Sequence, residues 1–264
     1  MVGGFDSGMA KIIRAMKQRK TIEDAIAEYA RRRPYRKIVE PDGKAALKII
    51  EQPPIEISIL AGEVIYQLRS ALDHFFFDLV QRNGAPLTSK QIRSCFFPLC
   101  TKRPVDFGPI AKHNLLKDYQ LRIPEDAFTL IEGLQPYNRW HDGHHLLRML
   151  AKFSNIDKHR HLTTTIVTIN RTHTIVGKSG FTSTVIMPML NDGAKIYEPW
   201  HPEYWPHPGV EKQGAIEVED KYIVTVAFDE PEFGPFQTAP IELMIYDLPT
   251  FIFDIGVNLR KFLT

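Results

Sequence analysis

The sequence predicts an α+β protein: a helical bundle core, an inserted antiparallel β-sheet and a C-terminal helix that returns to the bundle. Three observations predict it. Apolar residues recur at helical spacing through much of the first 160 residues, most clearly over 56–82. After residue 162 the pattern changes to β-branched or alternating segments divided by Gly, Asn, Asp and Pro. Helical spacing then returns in LPTFIFDIGVNLRKFL (248–263). The predicted units are a bundle over 1–162 with a small hairpin at 35–51, an antiparallel β region over 163–247, and a helix over 248–264 packing back on the bundle. A 30.3 kDa chain folds to a surface of about 12,000 Å² from about 44,000 Å² unfolded, which is enough burial for a substantial core.

The elements follow in order. Residues 8–19 and 22–33 read as two helices, with Thr21 as N-cap of the second and Asp24 three residues on. YRKIVEP and KAALKII around Asp42-Gly43 form the hairpin. Over 56–82, Val64, Leu68, Ala71, Leu72, Phe75, Phe76 and Leu79 make one apolar stripe; Ile59, Tyr66, Phe77 and Val80 make a second, roughly opposite. A helix apolar on two sides is central in its bundle. Gly84 ends it. Residues 85–123 are irregular, with CFFPL as a short apolar strand or buried loop and one helical stretch near 109–118. Pro124 opens a helix over 124–134, and Asp142 caps another over 143–161. LTTTIVTI, THTIVG, FTSTVIMPML, KYIVTVAF and IELMIYDL are the strands.

Composition excludes several classes. With 44% hydrophobic and 24% charged residues the chain is neither disordered nor fibrous. No apolar run reaches the roughly 18 residues of a membrane span. MVGGFDSGMAKII is not a secretory signal, so the expected location is the cytoplasm. Cys95 and Cys100 cannot make a disulfide framework and read as apolar thiols. Phosphate-binding glycine loops, dinucleotide fingerprints, nucleophile elbows, zinc-protease helices and DNA sequence-reading motifs are missing, and no cofactor is expected. Net charge is only +2, yet it is uneven. Residues 1–37 hold ten Lys and Arg against four Asp and Glu, whereas 191–247 hold three against twelve. The two ends attract each other within a chain or across a homodimer, or the basic end meets a phosphate backbone such as RNA.

Two segments carry the candidate chemistry: LRSALDH (68–74) and SNIDKHRH (154–161). Arg69 and Asp73, four apart, share a helix face within the second apolar stripe. His74 lies about 140° round from Arg69. On the second helix Asp157 continues the stripe of Leu146, Leu150 and Phe153. Asn155 and His159 lie on the opposite face and Lys158 between. A carboxylate on an apolar face needs a cation, so the two helices are expected to pack with Asp73 and Asp157 matched by Arg69, Lys158 or Arg160. One consequence is a buried network that fixes helix register. The other is a polar cleft in which His74 or His159 titrates and arginine binds an anion.

LRSALDH, FPL (97–99), LQPY (134–137) and SNIDKHR together resemble a widespread family of uncharacterised bacterial proteins over about residues 60–163. That resemblance singles out Arg69, Asp73, His74, Asn155, Asp157, Lys158, His159 and Arg160. At one remove the core resembles HEPN-type helical bundles, many of them metal-independent ribonucleases of stress and phage defence. Their motif is Arg, four to six residues, then His, normally at a dimer interface. Arg69 to His74 has this spacing, with Ser70 where such proteins often carry Asn. The resemblance implies an RNA-directed protein in which His74 activates a ribose hydroxyl and Arg69 stabilises phosphate charge, with His159 as a further catalytic candidate. Two alternatives stand beside it: a non-catalytic interaction module, and a metal-dependent hydrolase drawing on His141, His144, His145, His159 and His161. No Glu-x-x-His or His-x-x-x-His pattern supports the metal, and no metal ligand is assigned. YEPWHPEYWPHP (197–208) is either a stacking lid or a stiff loop covering the sheet.

Overall fold

The computed structural model describes residues 3–39, 41, 45–82, 86–100, 123–138, 146–159, 162, 164–171, 175–176, 182–183, 221–229 and 238–263. Most of these are helical, and the rest includes short antiparallel sheets. Helix α1 spans Gly4–Arg31 and α2 Ile55–Arg82. Between them β1 (Tyr35–Val39) and β2 (Ala45–Ile49) form the hairpin in the register Tyr35↔Ile49 to Val39↔Ala45. Short helices follow: α3 (Ser89–Ser94), α4 (Glu125–Gly133) and a 3₁₀ turn (Pro136–Asn138), then α5 (Leu146–His159). Strands β3 (Thr164–Arg171), β6 (Lys221–Asp229) and β7 (Thr238–Pro240) form one sheet in the order β3-β6-β7. Strands β4 (Ile175–Val176) and β5 (Thr182–Ser183) pair separately. Helix α6 is Ile241–Arg260.

Helices α1 and α2 pack antiparallel, and α6 lies against both. The three meet at Phe75. A Cβ on Gly8 of α1 would come 2.4 Å from its ring, and one on Gly256 of α6 2.7 Å. Both glycines are there because the ring occupies the space of a side chain. Phe5 stacks beside it, ring centroids 4.7 Å apart. The sheet joins this core through Phe228, whose ring is 4.3 Å from that of Phe153 on α5. Ser58 of α2 donates a hydrogen bond to the Leu162 carbonyl at 2.8 Å, fixing the approach to β3.

Four readings of the sequence are corrected here. The two helices placed at 8–19 and 22–33 are one. Buried Ile12, Ala15, Ile22 and Ile26 keep a single helical phase through exposed Thr21, and one threonine costs a helix too little to end it. IELMIYDL is no strand but the first turns of α6, which begins at 241 and not 248. Its buried residues, Ile241, Met244, Ile245 and Leu248, are spaced at three and four, and Pro249 sits within the helix. The β region accordingly ends at Pro240. The third correction is α3, opened by a capping box in which Thr88 accepts from the Gln91 N–H and the Gln91 side chain accepts from the Thr88 N–H. Pro124 is the N-cap of α4 and not its first residue. The turn at Asp42-Gly43, Gly84, the stretch 109–118, Asp142 and the loop 197–208 lie outside the described residues.

Candidate functional site

Arg69 and Asp73 of α2 are separated by one helical turn, with Arg69 Nη2 3.0 Å from Asp73 Oδ1. The pair is only the first half of a clamp. The Phe97 N–H donates to Asp73 Oδ1 at 2.9 Å, and Arg69 donates to the Phe97 carbonyl at 2.8 Å. Cation and carboxylate thus grip both polar groups of one residue's backbone. Phe97 itself is buried and meets Phe76 edge to face. A second clamp adjoins the first. Gln135, fully buried, accepts from the Cys100 N–H at 3.0 Å and donates to the Pro98 carbonyl at 3.1 Å. Among the described residues the segment 95–100 pairs with no strand; the backbone groups of Phe97, Pro98 and Cys100 are bonded instead by side chains of α2 and of the turn after α4.

The electrostatics show what the clamp costs. The two charged side chains are 16% and 29% exposed. Burial pushes the Asp73 carboxyl above its ordinary range, against the pull of Arg69, the Phe97 N–H and Lys158. Burial also lowers Arg69, against the pull of Asp73. Each group is displaced towards its neutral form, so desolvation outweighs mutual attraction. Such a pair contributes position more than net stability.

His74 faces another way. Its backbone carbonyl lies under the start of α1, 3.2 Å from where a Cβ on Gly4 would sit. Burial lowers its pKa from 6.5, and Lys11 of α1 lowers it further. Nearby, Asp78 accepts from the Phe5 N–H at 3.2 Å and so caps α1 from a neighbouring helix. The motif's arginine and histidine thus serve two different seams of α2.

Helix α5 packs on α2 and places its polar residues unevenly. The Asp157 carboxylate lies over Gly62, where a Cβ would approach to 2.5 Å. Gly62 shares the α2 face of Arg69 and Asp73, but it is eleven residues, about 16 Å, from Asp73. Asp157 is exposed, as are Asn155, Lys158 and His159. Of these only Lys158 is felt at Asp73, as a charge favouring the carboxylate. Arg160, with His141, His144, His145 and His161, lies outside the described residues. Among the described residues no group of three His, Cys, Asp or Glu is placed to hold a metal ion. Burial pushes the Cys100 thiol up to about 11, which leaves it protonated and unreactive near neutral pH.

Two parts of the clamp were not assigned a role from the sequence, although both lie in the quoted motifs: the Phe97 backbone in FPL and Gln135 in LQPY. Their signal was joint occurrence. The motifs LRSALDH, FPL and LQPY supply the two sides of one hydrogen-bonded assembly. No family model matches this chain, and no curated protein or solved structure matches it either.

Proposed function

We propose that the chain is a non-catalytic interaction module: a bundle of α1, α2 and α6 carrying an inserted sheet, with the Arg69, Asp73 and Gln135 network holding the 95–100 strip in register. The observation that carries this reading is that Arg69 and Asp73 spend their hydrogen bonds on the Phe97 backbone. An arginine that grips a carbonyl inside its own fold is poorly placed to bind a phosphate. The test expresses wild type beside His74→Ala, His159→Ala and Arg69→Ala, following toxicity, bulk RNA cleavage and thermal unfolding. The expected result is that wild type and the histidine variants are equally harmless and leave RNA intact, while Arg69→Ala lowers the unfolding temperature. RNA cleavage that disappears in a folded His74→Ala protein overturns it.

The second reading is a HEPN-like RNA-directed protein. Beyond the Arg69–His74 spacing, it is favoured by the shift at His74. A histidine held below 6.5 is neutral at cellular pH and able to accept a proton, and Lys11 beside it supplies a cation. A second chain would have to bring an arginine to it.

A further inference from the structure

We infer that the groove between α2 and the turn after α4 is a recognition site for an extended peptide carrying an aromatic residue followed by proline, and that residues 95–100 are its resident occupant. The groove reads backbone. Arg69 and Asp73 hold the Phe97 carbonyl and N–H at 2.8 and 2.9 Å. Gln135 takes the Pro98 carbonyl at 3.1 Å and the Cys100 N–H at 3.0 Å. The Gln135 amide is aimed by α4, because it also donates to the Ile131 carbonyl at 2.9 Å. Side chains alternate as along a strand: Cys95 and Phe97 are buried, and Phe96 between them is 41% exposed. Phe97 enters its pocket edge to face with Phe76, and Pro98 presents a carbonyl with no N–H to satisfy. Main-chain bonds for affinity and pockets for alternate side chains are the means by which proteins bind extended segments.

The manner of attachment marks this occupant as exchangeable. Helix α3, which leads into it, buries no residue, so over residues 89–100 the hold on the bundle is concentrated in the strip itself. The packing of α1, α2 and α6 around Phe75 is made on another seam of α2. A segment held by few buried contacts opens locally while the core stays folded. Opening also returns water to Arg69 and Asp73, both of which burial displaces towards their neutral forms. Arg69, Asp73 and Phe76 stay on α2 and Gln135 stays tied to α4, so the vacated groove keeps its recognition groups. An aromatic–proline segment exposed on a partner protein then competes with the resident strip.

This names the chemistry of a partner for the interaction module and rests on that reading. It fails separately, because RNA cleavage would end the first without touching peptide exchange. The probe is a capped peptide of residues 94–100 carrying Cys95→Ser and Cys100→Ser, beside a scrambled peptide of the same composition. Thiol labelling of full-length wild type without denaturant, read at Cys95 by mass spectrometry, reports departure of the strip. The peptide should raise the Cys95 rate by more than about tenfold, in proportion to its concentration, with circular dichroism unchanged. The scrambled peptide should leave the rate as it was. Phe97→Ala, which empties the pocket, should bind the fluorescent peptide more than about tenfold tighter than wild type, because the groove is no longer occupied. Adding Arg69→Ala should take that binding away. If Phe97→Ala fails to fold, the wild-type labelling carries the test alone. A Cys95 rate indifferent to the peptide, or raised equally by the scrambled one, overturns the inference. So does labelling with the urea dependence of global unfolding. A rate that rises with protein concentration and not with peptide overturns it too, since the exchanging strip would then come from a second copy.

Discussion

Helix α2 buries two of its seams by opposite means. Towards α1 and α6 its centre works by shape: Phe75 fills the space left by Gly8 and Gly256, while polar contacts such as Asp78 to the Phe5 N–H and Gln18 to Glu63 lie towards the ends of the α1 seam. Towards the 95–100 strip it uses polar exchange: Arg69 and Asp73 give the Phe97 backbone the two hydrogen bonds that a neighbouring strand would otherwise supply. The first seam tolerates no extra volume, and the second tolerates no missing partner. Motif residues adjacent in sequence fall on different seams, so spacing alone says little about which of them act together.

The sharpest way to break the polar seam is Arg69→Ala. It strands the Asp73 charge and the Phe97 carbonyl in a largely buried place, and the expected loss is about 3–5 kcal/mol, measured by urea unfolding. Arg69→Met combined with Asp73→Leu should do no better than the single change. An ion pair that served only itself would be replaced at little cost. Here both apolar substitutes leave the Phe97 N–H and carbonyl unbonded. Full recovery in the double variant would mean that the backbone clamp is unimportant.

Shape is tested by paired glycines. Gly8→Ala drives a methyl group into a ring already backed by Gly256, and overpacking of this kind costs about 1–3 kcal/mol. Gly62→Ala meets an equally short approach, 2.5 Å, but the obstacle is the end of an exposed aspartate. The flexible end of that side chain gives way more readily than a buried ring, and the gain in helix propensity, up to about 1 kcal/mol, offsets part of the loss, so Gly62→Ala should cost less than Gly8→Ala. Equal losses from both alanines would show that Asp157 is as fixed as Phe75.

Much of this architecture was legible beforehand. The α2 stripe, the 35–51 hairpin, and the strand character of LTTTIVTI and KYIVTVAF are patterns with one reading. IELMIYDL was misread because a short apolar run fits both periods. The Arg69–Asp73 contact followed from a spacing of four. Its target did not, because a backbone N–H and carbonyl look the same at every position of a sequence. Asp157 continues a buried stripe by angle, but it stands near the exposed end of α5, where its carboxylate lies over Gly62.

The smallest effect is also the cleanest separation of the two seams. His74 is held below its ordinary 6.5 by burial, with Lys11 adding to the shift. The unfolded chain therefore takes up this proton more readily than the folded one. The stability His74 contributes is fully present above pH 6.5 and is lost as pH falls through the folded value. His74→Gln should flatten the stability profile below pH 6.5 and leave it unchanged at pH 8. Arg69→Ala should lower stability at both pH values and keep the slope that His74 imposes. If His74→Gln instead lowered stability equally at pH 6 and pH 8, the imidazole would be acting through packing and not through its charge, and the α1 seam would have no acid-sensitive part at this position.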